Sequence, residues 1–98
     1  MKGFYYHYKH TDADITNYAY EMLGISLDTE EGSESVVYRP LYKDTYLGSR
    51  DFYVRPKEMF FETVTHEETQ IERFTKITDE KLIQKLSKIR DTKYGSEI

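Results

Sequence analysis

Two stretches joined by an acidic turn decide the reading of this chain. The first is Tyr18-Ala19-Tyr20-Glu21-Met22-Leu23-Gly24-Ile25-Ser26-Leu27. The turn is Asp28-Thr29-Glu30-Glu31-Gly32, and the second stretch is Ser35-Val36-Val37-Tyr38-Arg39-Pro40-Leu41. The second is rich in β-branched residues, and the first alternates in part, with Tyr18, Tyr20 and Met22 on one side and Glu21 on the other. Such a pair around a glycine-containing turn predicts a β-hairpin. Pro40 has no N–H to give to a ladder, so it belongs at a strand end or a sheet edge.

Outward from that hairpin the pattern stays short-stranded. Gly3 to Tyr8 is dense in aromatics and reads as a strand, and His10 to Asn17 is a polar loop. Tyr42 to Asp51 reads as a long polar loop, followed by a short strand, Phe52-Tyr53-Val54. Pro56 to Met59 suits one helical turn, since proline tolerates the first helical position. Phe60 to Val64 and Ile71 to Ile77 read as a second hairpin around His66-Glu67-Glu68. Short strands at this spacing predict a mainly β fold, a small barrel or sandwich.

The end of the chain changes period. Leu82, Ile83, Leu86 and Ile89 fall at i, i+1, i+4 and i+7, one face of a helix. Thr78 is placed to cap it, Asp79 and Glu80 suit its N-terminal dipole, and Gly95 suits its end. The expected organisation is a β-domain over residues 1–78, an amphipathic helix over 79–94 and a tail over 95–98. The apolar face of the helix has to cover the domain's own sheet or the same face of a second copy, as a homodimer.

Composition narrows the function classes. The chain has 98 residues, no cysteine, ten tyrosines and five phenylalanines. Disulfides and thiolate zinc sites are therefore excluded. Tyrosine buries an apolar body while keeping a polar tip, so the core is expected to be thin, with hydroxyls at its edges. No apolar run is long enough to span a membrane, and the start lacks the apolar stretch of a signal peptide. A cytoplasmic location is the expectation. Residues 1–78 hold nine Lys/Arg and fourteen Asp/Glu, whereas residues 79–94 hold five and three. An acidic body disfavours generic nucleic-acid binding, which needs a basic surface; only the basic helix would suit an accessory nucleic-acid factor.

A resemblance adds to this reading. The segments Tyr6-His7-Tyr8-Lys9, Tyr20-Glu21-Met22-Leu23-Gly24 and Val36-Val37-Tyr38-Arg39-Pro40-Leu41-Tyr42 come in order. Tyr53-Val54-Arg55-Pro56-Lys57-Glu58-Met59-Phe60 and Arg73-Phe74-Thr75-Lys76-Ile77 follow them. Together they resemble the bacterial family called domain of unknown function 1653. The resemblance implies a small SH3-like β-barrel or roll of about five to six strands, and no activity. The chain departs from the family pattern in the long stretch His10 to Asn17, in Asp28 where a histidine is usual, and in Tyr53 where tryptophan is frequent. The C-terminal helix is an addition to the pattern.

Candidate site residues lie within the matched segments: His7, Tyr8, Lys9, Tyr38, Arg39, Tyr42, Tyr53 and Arg55, with Arg73 nearby in kind. Arginine offers a planar fork for carboxylate or phosphate, and tyrosine a stacking face with a hydroxyl. The competing reading is structural, with arginines tied to glutamates such as Glu58 or Glu62 and Lys9 lying along a tyrosine ring. No serine elbow, no phosphate-cradling glycine loop and no shielded carboxylate pair is present, so catalysis is not expected. His7, His10, Asp12 and Asp14 match no metal-ligand spacing and read as a solvated loop; no cofactor is implied. The leading expectation is a binding module for a protein or peptide, with Tyr8, Tyr38, Tyr42 and Tyr53 forming one aromatic patch near Arg55. The alternative is a binder of a small nucleotide-like anion, in which His7, Lys9, Arg39 and Arg55 converge.

Overall fold

A computed structural model describes residues 2–43 and 51–95 of the chain. The elements in order are β1 (Gly3–His7), β2 (Ala19–Leu27), β3 (Glu34–Pro40), β4 (Tyr53–Pro56), α1 (Lys57–Phe60), β5 (Thr63–His66), β6 (Thr69–Glu72), β7 (Phe74–Lys76) and α2 (Glu80–Tyr94). The fold is mainly β with a C-terminal helix. Five strands form one antiparallel sheet in the order β4-β3-β2-β1-β7, and β5 and β6 form a separate hairpin. The large sheet runs from β4 to β7 as an open order; no pairing among the described residues closes it into a barrel.

The hairpin expected from the central stretch is β2–β3. Its turn is built by Asp28, whose Oδ1 accepts from the N–H groups of Glu30 (2.9 Å) and Glu31 (3.1 Å). Gly32 closes it, with φ 76° and its N–H bonded to the Asp28 carbonyl at 2.7 Å. The register shifts between Met22 and Gly24. That bulge explains the partial alternation in sequence: Tyr20 and Met22 face the core before it, and the parity switches so that Ile25 stands opposite Val36 after it. Pro40 ends β3, as its missing N–H requires.

Two expectations are corrected. Phe74 to Lys76 does not belong to the second hairpin but pairs with β1 in the main sheet. The β5–β6 hairpin ends at Glu72, and Arg73 turns the chain across, its N–H bonded to Glu62 O (3.0 Å) and its carbonyl accepting from Tyr8 N–H (2.9 Å). Burying Phe74 in the main core outweighs extending a solvated hairpin. The cap of α2 is Asp79 rather than Thr78; its carboxylate accepts from Lys81 N–H. Gly95 ends the helix at φ 81°, as expected. Most of the loop predicted over 42–51 and most of the tail lie outside the described residues.

The sheet has two covered faces. One carries Tyr5, Tyr20, Met22, Val36, Tyr38, Phe60 and Phe74, with Tyr42 and Tyr53 packed against them. The other carries Phe4, Ala19, Leu41, Ile77 and Leu86, flanked by Leu82, Ile83 and Ile89. The apolar stripe of α2 thus covers the domain's own sheet. An ion network pins it there. Arg39 donates to Glu21 Oε1 through Nε (2.9 Å) and a terminal nitrogen (2.8 Å), Arg90 of α2 donates to Oε2 (2.5 Å), and the Tyr94 ring lies 4.0 Å from the Arg39 guanidinium.

Candidate functional site

The face opposite α2 is a connected set of rings. Phe74 stacks on Phe60 with centroids 4.1 Å apart and planes 4° apart, forming the floor. From Phe74 one route of contacts runs to His7 (5.1 Å) and on to Tyr8 (4.4 Å). Another runs through Tyr20 (5.7 Å) to Tyr42 (5.5 Å), Tyr18 (6.4 Å) and back to His7 (5.4 Å). Tyr38 touches Phe74 (5.8 Å), Tyr20 (5.5 Å) and Tyr53 (5.7 Å). Alternation explains the arrangement: His7 and Tyr5 of β1, Tyr20 of β2, Tyr38 of β3 and Tyr53 of β4 all project to one side of the sheet.

Polar groups sit on this floor with defined protonation. The Tyr20 hydroxyl is 2.8 Å from that of Tyr42, and burial together with this bond raises its pKa far above the ordinary phenol value. It stays a neutral phenol. His7 is pushed down to about 4, first by burial and then by the positive charges of Arg55, Lys9 and Arg73. It is neutral at physiological pH. Its Nδ1 accepts from Lys9 N–H (3.2 Å), so its proton resides on Nε2, which is a donor. Arg55 donates from Nε to the Tyr38 hydroxyl at 3.3 Å, and its guanidinium lies 5.5 Å from the Phe74 ring centroid.

The other arginines are occupied. Arg73 is paired with Glu62 and donates to Met59 O at 3.1 Å, tying α1 to β7. Arg39 is 4 % exposed and faces the helix, because it neighbours Tyr38 on the strand and so points the other way. Among the described residues Arg55 is the one arginine without a carboxylate partner. Lys9 extends to 5.9 Å from the Tyr8 ring centroid, and Tyr8 also meets His66 of the small hairpin (5.4 Å).

Seven of the eight candidates therefore gather on or beside one face: His7, Tyr8, Lys9, Tyr38, Tyr42, Tyr53 and Arg55. Tyr38 is buried as floor rather than exposed. Arg39 lies across the sheet, which separates it from the cations it was expected to join. Sequence reasoning passed over Phe74, the shared floor, and Tyr18, a rim residue 39 % exposed. For Tyr18 the signal was present, since the alternation placed it beside Tyr20.

In the loop before β2, His10 Nε2 lies 3.9 Å from Asp12 Oδ1. His10 stacks on Tyr6 (3.5 Å, 15°) and its Nδ1 lies 2.7 Å from Asn17 O. No group of three metal-ligating side chains occurs among the described residues. Asp28 is a turn-former at the far end of β2–β3.

Residues 3–76 match the profile of the family described as protein of unknown function (DUF1653). The chain belongs to the DUF1653 family. A crystallised DUF1653 protein from Bordetella bronchiseptica has 26% sequence identity and a TM-score of 0.61, over 82% of this chain and 94% of that one. No curated protein matches. The DUF1653 match stops before Asp79, so the sheet with its aromatic face lies within the family region and α2 outside it. No helix among the described residues is long and apolar enough to cross a membrane.

Proposed function

We propose that this DUF1653 protein is a non-catalytic, cytoplasmic binding module that receives a carboxylate of a protein or peptide partner on its aromatic face. The observation that carries this reading is Arg55. A half-buried guanidinium held against Tyr38 and Phe74, with no acid to neutralise it among the described residues, is poised for a charge-assisted fork. The neutral His7 adds a donor beside it, and Tyr42, Tyr53 and Tyr8 supply rigid apolar contact of the kind enriched at interfaces. Titratable groups on the face are locked in one state, Tyr20 as phenol and His7 as imidazole, which suits binding rather than proton transfer.

The alternative, a nucleotide-like anion, draws support from the same rings and Arg55. It has lost Arg39, which is committed to Glu21.

The test is selection of random short peptides on the immobilised full chain, with binding then measured to wild type and Arg55→Ala. Selected peptides should share an acidic residue or free C-terminus. They should bind Arg55→Ala roughly ten- to a hundredfold more weakly, the loss of a hydrogen bond to a charged group. Selected peptides with no common carboxylate, or equal binding to Arg55→Ala, would remove the reading. Displacement of the peptides by AMP, with tighter binding of AMP, would replace it by the nucleotide reading.

A further inference from the structure

Beside the aromatic face, the loop before β2 forms a corner of different chemistry. A cavity of about 340 Å³ is lined by Asp14, Thr16, Asn17, Tyr18 and Tyr42. That volume falls at the small end of the ligand-site range, about 300–1,000 Å³. Two aromatic residues line it, Tyr18 and Tyr42, their ring centroids 6.4 Å apart and their planes tilted by 49°. A carboxylate, Asp14, stands on a third side. Among the described residues no cationic side chain lines it.

Each wall is held from behind. The Tyr42 hydroxyl is bonded to the buried Tyr20. Tyr18 lies in the left-handed region at φ 52°, a conformation that disfavours a bulky side chain, and its carbonyl accepts from His7 N–H at 2.9 Å. Its ring stacks at 27° on His7. Asp14 Oδ1 accepts from Thr16 N–H (2.8 Å) and Oγ1–H (2.7 Å), and these bonds hold its pKa below the ordinary carboxylate value. The Asn17 side chain is tied to Thr11 at both ends, by bonds of 3.0 and 2.8 Å.

Such a corner selects among ligands. An anion meets the Asp14 charge. A hard metal ion finds one carboxylate, with the Thr16 hydroxyl bonded to Asp14 and the Asn17 amide to Thr11, too few available oxygens for its coordination shell. A primary ammonium needs acceptors for three N–H groups, and the Asp14 oxygen facing the loop is already used. A quaternary ammonium needs no acceptor. It is attracted by the negative faces of two rings and by one nearby carboxylate. We propose that the corner formed by Tyr18, Tyr42 and Asp14 binds a quaternary ammonium group. The site does not include Arg55, so it stands or falls apart from the carboxylate reading of the neighbouring face.

The experiment is an NMR titration of the full chain with choline, and separately with 3,3-dimethyl-1-butanol, its neutral isostere. Choline should shift the Tyr18 and Tyr42 ring signals saturably, in about the millimolar range of a single small head group. The neutral isostere should bind about fivefold more weakly, the share of affinity due to charge against ring faces. Tyr18→Asn, a residue that tolerates the left-handed region, should abolish saturable binding, and Arg55→Ala should leave it unchanged. Should Tyr18→Asn fail to fold, Asp14→Asn in the exposed loop serves instead and should weaken choline binding without altering that of the isostere. Equal binding of the two ligands, binding that survives Tyr18→Asn or is indifferent to Asp14→Asn, loss of binding in Arg55→Ala, or no saturable shift would each overturn the proposal.

Discussion

Replacing Glu21 with glutamine tests whether Arg39 serves structure, paired with Glu21 between the sheet and the helix. The Glu21 side chain is 10% exposed and that of Arg39 5%. Glutamine keeps the shape and one acceptor oxygen, so the cavity term is negligible and the change isolates charge. Arg39 would then be buried among strand, helix and the Tyr94 ring without a counter-ion. Breaking a buried pair by removing one partner costs about 3–5 kcal/mol. Arg90 is 28% exposed at its side chain and keeps Asp91, so its loss adds little after solvent screening. Because an amide oxygen remains, the expected cost is about 3 kcal/mol, a large part of the roughly 5–15 kcal/mol that stabilises a domain of this size. In thermal melts that is a drop of roughly 12–24 °C in Tm. Urea unfolding is the assay, with the m-value unchanged. The double variant Glu21→Leu/Arg39→Met, which removes both charges, should recover most of the loss. A cost for Glu21→Gln below about 1 kcal/mol, or a double variant worse than the single one, would refute the assignment of Arg39 to structure.

Other expectations follow from the same geometry. His7 has a folded pKa of about 4, below its unfolded value near 6.5, so the unfolded chain binds the extra proton between these limits. Stability should therefore be fully present above pH 6.5 and decline as pH falls towards 4; in urea titrations between pH 7 and 5, His7→Gln should flatten that slope. Leu86 is 0% exposed against Phe4, Ala19 and Ile77, so Leu86→Ala should cost about 2–5 kcal/mol in the same unfolding assay. A cost near zero would mean that α2 is not part of the core. Glu67 and Glu68 occupy the two-residue turn of β5–β6 at φ 50° and 66°, which side chains other than Asn and Gly disfavour. Glu67→Asn/Glu68→Gly should stabilise the protein by about 1 kcal/mol, read as a rise in Tm.

Much of the fold is legible in the chain because it follows from local periodicity. The β2–β3 hairpin, the single turn at α1 and the stripe Leu82-Ile83-Leu86-Ile89 are set by residues close together in sequence. The bulge at Leu23 and the transfer of Phe74 to β1 are not, since each trades local pattern for burial in a shared core. The candidate site divides in the same way. His7, Tyr38, Tyr53 and Arg55 stand at strand positions whose parity sends them to one face. Arg39 has the right chemistry but the opposite parity, and only the register that sets it directly across from Glu21 identifies its partner.

By itself the sequence determined a cysteine-free, tyrosine-rich, mainly β chain with an amphipathic C-terminal helix, because composition and period act residue by residue. Only the tertiary structure decided which of the described arginines has no carboxylate partner. β2 must pair with β3 and α2 must dock before Arg39 and Arg90 meet Glu21, while Arg73 meets Glu62 across the base of the β5–β6 hairpin and Arg55 meets no carboxylate among the described residues. It also decided that α2 lies on its own sheet, since an apolar stripe specifies that it must be covered but not by what.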